Sequence, residues 1–104
     1  MRPIRIHSAA AQEAEQAAAW YERERPGLGV DFSAAIEAAL DRLENEQVSV
    51  AVAVGSGGRR TIRRLILLRF PYDVVFVDRA DHVLVLAFAH HSRRPGFWRD
   101  RMGR

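Results

Sequence analysis

The apolar positions of this 104-residue chain follow two rhythms. In the second half they come as short runs of β-branched and aromatic residues. Val74, Val75, Phe76 and Val77 form one run and Val83 to Phe88 another, dense enough to predict strands covered on both faces. Asp78, Arg79, Ala80, Asp81 and His82 lie between them as a polar turn of hairpin length. Pro71 has no ladder donor and holds Phe70 extended, so it marks a strand boundary, and Ile62 to Leu68 ahead of it predicts a third strand. Three such strands in sequence make an antiparallel meander.

The first half is mostly helical in rhythm. Ile4 and Ile6 alternate with Arg5 and His7, which predicts a short strand with one buried face. Ser8 is placed to cap a helix over Ala9 to Arg25, with a buried stripe of Ala10, Ala14, Ala17, Ala18 and Tyr21 and Trp20 at its margin. Small residues in that stripe imply close approach to a neighbour. Pro26, Gly27 and Gly29 stop this helix, and a second follows over Asp31 to Glu46 with Phe32, Ile36, Ala39, Leu40 and Leu43 on one side. So short a turn predicts an antiparallel helical hairpin, whose apolar face only the meander can cover. Gln47 to Gly58 alternates valines with small residues and then runs into Gly and Ser, which fits either an edge strand on Ile62 to Leu68 or a mobile loop. An uncharged valine ladder at an edge calls for a partner to cover it.

The expectation is therefore one α+β domain over residues 1–104: two layers, an antiparallel sheet made of the short N-terminal strand and the three-stranded meander, and the hairpin on one face. There is no cysteine, no apolar stretch of signal-peptide length at the start and no run long enough for a membrane span, so a cytoplasmic protein without a membrane partner is expected. The formal net charge is +3, unevenly spread. Residues 1–58 hold five Arg against nine acidic residues, a net −4, and residues 59–104 hold eleven Arg against four Asp, a net +7. A basic sheet and tail steer the molecule toward an acidic partner.

Four strings, in this order, carry a family resemblance: Trp20-Tyr21 in the first helix, Pro26-Gly27-Leu28-Gly29 followed by Phe32, Arg69-Phe70-Pro71-Tyr72, and His90-x-x-Arg93-x-Pro95 leading to Trp98-x-x-Arg101. With the element order, they make the chain resemble the RelE/ParE superfamily of bacterial toxins over nearly its whole length. The resemblance implies a compact two-layer fold and a toxin of a type II toxin-antitoxin (plasmid stabilisation) module. It also implies growth inhibition relieved by a cognate antitoxin, in an oligomeric complex.

Within that superfamily, RelE-like members cut mRNA on the ribosome and ParE-like members are regarded as DNA gyrase inhibitors. Metal-free RNA cleavage needs a group to activate the ribose hydroxyl, one to protonate the leaving oxygen, and cations for the charge that builds on phosphate. Where the RelE-like pattern has an Arg after the Tyr that opens the middle strand, Tyr72 is followed by Asp73, a carboxylate that would repel phosphate. The C-terminal Tyr position is matched by Trp98, whose indole donates a hydrogen bond but cannot trade protons. Only Arg93 is kept. The strings look ParE-like, so the reading leans to action by binding gyrase rather than by catalysis, without a cofactor.

The target contacts expected are Arg93, Trp98 and Arg101, with Arg59, Arg60 and Arg64 adding charge. The alternative is a ribosome-dependent mRNA interferase, in which Arg64, His91 and Arg93 are the catalytic set and His91 serves as acid or base. A toxin decayed to antitoxin binding alone is the third reading. No metal is expected. His90 and His91 are adjacent on a strand and point to opposite faces, and no carboxylate joins them and His7 at ligand spacing. Asp73 and Asp78 are expected as rim charges paired with Arg63, Arg64 or Arg69, with Arg63 and Arg64 on opposite sides of their strand. Phe97 and Trp98 are expected to fold back onto the core more often than to stand out as interface anchors.

Overall fold

A computed structural model describes residues 3–45, 51–52 and 62–102. Strand β1 (Ile4–Ile6) leads into helices α1 (Ser8–Glu24) and α2 (Leu28–Glu44); β2 (Ala51–Val52), β3 (Ile62–Ile66), β4 (Tyr72–Asp78) and β5 (Val83–His90) follow, and a 3-10 turn covers Arg99–Arg101. The sheet order is β1-β5-β4-β3-β2, with the meander at its centre. This is the two-layer α+β arrangement that the patterning predicts. The sheet is mixed rather than wholly antiparallel, because β1 lies parallel to β5, with Ile4 opposite Val83 and Ile6 opposite Val85. A strand that enters a helical crossover before rejoining the sheet is free to run parallel, unlike the hairpin-linked strands. Of Gln47 to Gly58, Ala51 and Val52 pair antiparallel with Arg64 and Arg63, and the rest lies outside the described residues.

The helical hairpin turns where the sequence places its breakers. Gly27 sits in left-handed backbone at φ 90°, and Glu22 near the end of α1 accepts hydrogen bonds from the Gly27 and Gly29 amides, 2.9 and 3.0 Å. A carboxylate on the first free amides of α2 suits both their need for acceptors and the positive end of the helix. At the start of α1 the cap is His7, whose Nδ1 accepts from the Ala9 amide at 3.1 Å, in place of the expected Ser8. The predicted stripes face inward: Ala10 and Ala17 from α1, and Phe32, Ile36, Ala39 and Leu43 from α2, are buried. Trp20 is about half exposed, and Ile6, expected on a buried face, is 41% exposed at the edge.

Two cores lie on opposite faces of the sheet. Under the helices, Phe32 meets Tyr21, Phe70 and Tyr72 at centroid distances of 5.1 Å, with Val74, Phe76, Val83, Val85 and Phe88 beneath. The Phe70 and Tyr72 rings meet Phe32 edge-on, a geometry that adds to the area they bury. Burial pushes the Tyr72 hydroxyl above the ordinary tyrosine range, helped by Tyr21 and Glu13 nearby. On the other face, Ile62, Val75, Leu86, Ala87 and Ala89 are covered by the C-terminal tail through Trp98, Phe97 and Met102.

A bulge links the two faces. Val75 opposes Ala87 and Phe76 opposes Val85, so Leu86 has no partner on β4, and both Leu86 and Ala87 join the tail-covered core.

Gly29 gives a direct test of the hairpin packing. A Cβ there would lie 2.5 Å from the Ala18 carbonyl oxygen. Alanine normally stabilises a helix interior by roughly 1 kcal/mol over glycine. Here Gly29→Ala is expected to reverse the sign and destabilise by about 1–3 kcal/mol, as overpacking does, measured by urea unfolding. A more stable variant would show that the helices do not approach as described.

Candidate functional site

The tail-covered face carries a cleft of about 310 Å³ between β3, β4, the end of β5 and the tail. Its walls include Arg64, Asp73, His91, Arg93, Phe97 and Trp98. Each arrives there for a local reason. Arg64 alternates with Arg63, which turns to the helical face and lies over the Phe76 ring while pairing with Asp78 at 2.6 Å. Asp73 lies on β4 opposite Ile66 and Ala89, which places it on the tail side of the sheet. His91 follows β5 directly, and its amide donates to the Pro71 carbonyl at 2.8 Å. Trp98 is 7% exposed and closes the second core, the folded-back position expected of it.

Asp73 is not a rim charge. It is 8% exposed, accepts from His91 Nε2 at 2.9 Å and lies 3.5 Å from Arg64 Nη1. A carboxylate that only accepts requires the proton on His91 Nε2, which leaves Nδ1 of the neutral ring as an acceptor. The carboxylate therefore organises the cleft rather than only opposing anions in it. Arg93 stacks on the Phe97 ring, its Cζ 3.8 Å from the centroid. Arg64 Nε and Trp98 Nε1 are buried without an acceptor among the described residues. Donors left without acceptors cost about 1–3 kcal/mol each, a cost that an acceptor-bearing ligand relieves. The cleft therefore combines the Arg64 and Arg93 cations with the Asp73 carboxylate.

The predicted site residues divide. Arg64, His91, Arg93 and Trp98 converge on this cleft. Arg101 does not: its side chain is 17% exposed and is bonded to Glu13 and the Leu86 carbonyl. These bonds place it away from the cleft where the other expected target contacts gather. Arg59 and Arg60 lie outside the described residues. His7 Nδ1 caps α1, and His90, whose Nδ1 bonds with Ser92, lines the cleft beside His91. Sequence reasoning missed Glu13, although a signal was present: with Ala10, Ala14 and Ala17 it lies on the buried stripe of α1, an acid where apolar residues belong.

Fold and cleft together define a two-layer α+β domain with an arginine-lined cleft on the sheet face opposite the helices. Among solved structures the chain is similar to a chain of "Chromosomal ParDE TA system from P. aeruginosa", with a TM-score of 0.70 and 17% identity over 86% of this chain and 96% of that one. At that identity the likeness is one of fold. No protein-family model and no curated protein matches the sequence. Among the described residues no helix is long and apolar enough to cross a membrane.

The division between scaffold and contact residues is testable. Trp98→Ala is expected to cost about 3–5 kcal/mol of stability, as loss of a buried aromatic does. Arg93→Ala should stay within about 0.5 kcal/mol of the parent, as an exposed position does. Urea unfolding of the two variants checks this; equal effects would contradict the assignment.

Proposed function

We propose that this chain is the toxin of a type II toxin-antitoxin module, ParE-like, which arrests growth by binding DNA gyrase through the Arg64, Arg93 and Trp98 face and is neutralised by a cognate antitoxin. The observation that carries the reading is the fold shared with a chain of a ParDE toxin-antitoxin system over most of both chains. The basic cleft supports it by supplying a surface complementary to acidic groups of a protein target. Asp73 supports binding over catalysis, because it sits at the phosphate-facing position that the RelE-like pattern fills with Arg, and Trp98 is buried where that pattern has a proton-trading Tyr. The antitoxin has apolar surface to cover. Val30, Ile66 and Leu68 are 70%, 53% and 76% exposed, and Ile66 and Leu68 border a groove along α2 that Ala34, Ala35 and Ala38 line. A segment that folds on binding, with apolar anchors, suits such a groove.

One observation favours the mRNA interferase as a second reading: Arg64, His91 and Arg93, the set it requires, line one cleft, with His91 oriented by Asp73. The two readings separate in vitro. Under the first, purified protein lowers the supercoiling activity of purified gyrase and leaves ribosome-bound message intact, and the Arg64→Ala/Arg93→Ala variant loses at least about tenfold in potency. Defined message fragments on ribosomes, with gyrase unaffected, would establish the interferase instead. Full potency of the double variant against gyrase would remove the cleft from the mechanism.

A further inference from the structure

The β5 edge explains what Arg101 does. β1 pairs with β5 only as far as Val85, whose carbonyl accepts from the His7 amide at 2.9 Å. Beyond that point the bulge at Leu86 resets which backbone groups face the edge. Two of them are met by side chains. The Phe88 amide donates to Glu13 Oε1 at 3.1 Å, and the Leu86 carbonyl accepts from Arg101 Nη1 at 2.8 Å. Arg101 and Glu13 are joined to each other by two bonds, Nη1 to Oε1 at 3.1 Å and Nη2 to Oε2 at 2.9 Å. The pair supplies one donor and one acceptor where a longer β1 would have supplied its backbone.

This pair also ties the tail to the sheet. The Arg101 guanidinium lies 5.2 Å from the centroid of the Phe97 ring, the same ring on which Arg93 stacks at 3.8 Å. Arg93, Phe97 and Trp98 form the tail wall of the cleft. Phe97 is thus held by a guanidinium that is itself fixed by three hydrogen bonds, and it in turn supports the Arg93 cation at the cleft. Lysine cannot copy this, since a single ammonium lacks the planar fork that reaches a carboxylate and a carbonyl at once.

We propose that Arg101, clamped by Glu13, is a positioning residue for the cleft: it sets Arg93 through Phe97 and touches no target itself. The consequence for activity rests on the toxin reading; the structural part does not. The test uses the full chain and follows the Arg93 side-chain Nε–Hε resonance by NMR alongside growth inhibition on induction. The ring current of Phe97 should shift that resonance upfield in the parent protein. In Arg101→Ala it should move to the position of a free arginine, and inhibition should fall to the level of Arg93→Ala, with the remaining backbone spectrum folded. Glu13→Gln and Arg101→Lys keep more of the packing and serve if Arg101→Ala does not fold; in both the Arg93 signal should shift part of the way. Arg93→Ala should leave the Arg101 Nε–Hε signal in place, because the dependence runs from the clamp outward. An Arg93 signal unmoved in folded Arg101 and Glu13 variants would overturn the proposal. Parent protein that does not inhibit growth would count against the toxin reading alone, and the resonance would still decide the clamp.

Discussion

An eight-residue strand bordered by a three-residue one leaves part of its edge to be satisfied by something else, and in this protein that constraint shapes the site. Backbone donors and acceptors at a buried edge need partners. An extended β1 would satisfy them but would leave the tail without this polar tie to the sheet. The Glu13–Arg101 pair satisfies them from α1 and the tail, so one pair of side chains joins helix, sheet and C-terminal segment. A part-buried ion pair does not gain stability simply from its charges, because both lose water; removing one partner is what costs, by up to about 3–5 kcal/mol where burial is complete. The pair therefore fixes an arrangement more than it adds net stability.

The two faces of the sheet have different work. The helical face is sealed by an aromatic cluster around Phe32 and carries the acidic half of the chain outward. The other face is covered by a short tail around Trp98, and such a cover leaves room for a cleft. Most of the chain's arginines belong to this half of the sequence, but the fold uses them unequally. Arg63 pairs with Asp78, Arg69 with Asp31 and Arg101 with Glu13, whereas Arg93 is held by an aromatic ring rather than by an acid. A cation supported by a π face retains its charge for a ligand.

Much of this was legible in the residues. Periodicity shows the meander, the helical hairpin and its stripes, because each follows from burial on one face at a fixed repeat. The alternation of Arg63 and Arg64 shows that only one of them can join a given face. What periodicity does not carry is direction and pairing at a distance. It does not show that β1 runs parallel to β5, since a short strand reads the same either way. It does not show the bulge at Leu86 within an unbroken apolar run. Asp73 reads as an opponent of anions when taken alone; its role as the acceptor for His91 depends on two segments 18 residues apart meeting on one face. Arg101 reads as one more basic residue in a basic tail, and only the approach of α1 makes it internal.

The ion pair completes the β5 edge and so fixes the tail that builds the cleft. Amide hydrogen exchange at Phe88 tests it most directly, because that N–H has Glu13 rather than a neighbouring strand as its acceptor. The account predicts that in the parent protein Phe88 exchanges as slowly as the central amides of β4, through global unfolding, and that Glu13→Ala makes it exchange fast while those of β4 stay protected. A Phe88 amide in the parent that exchanges as fast as a surface loop would contradict it.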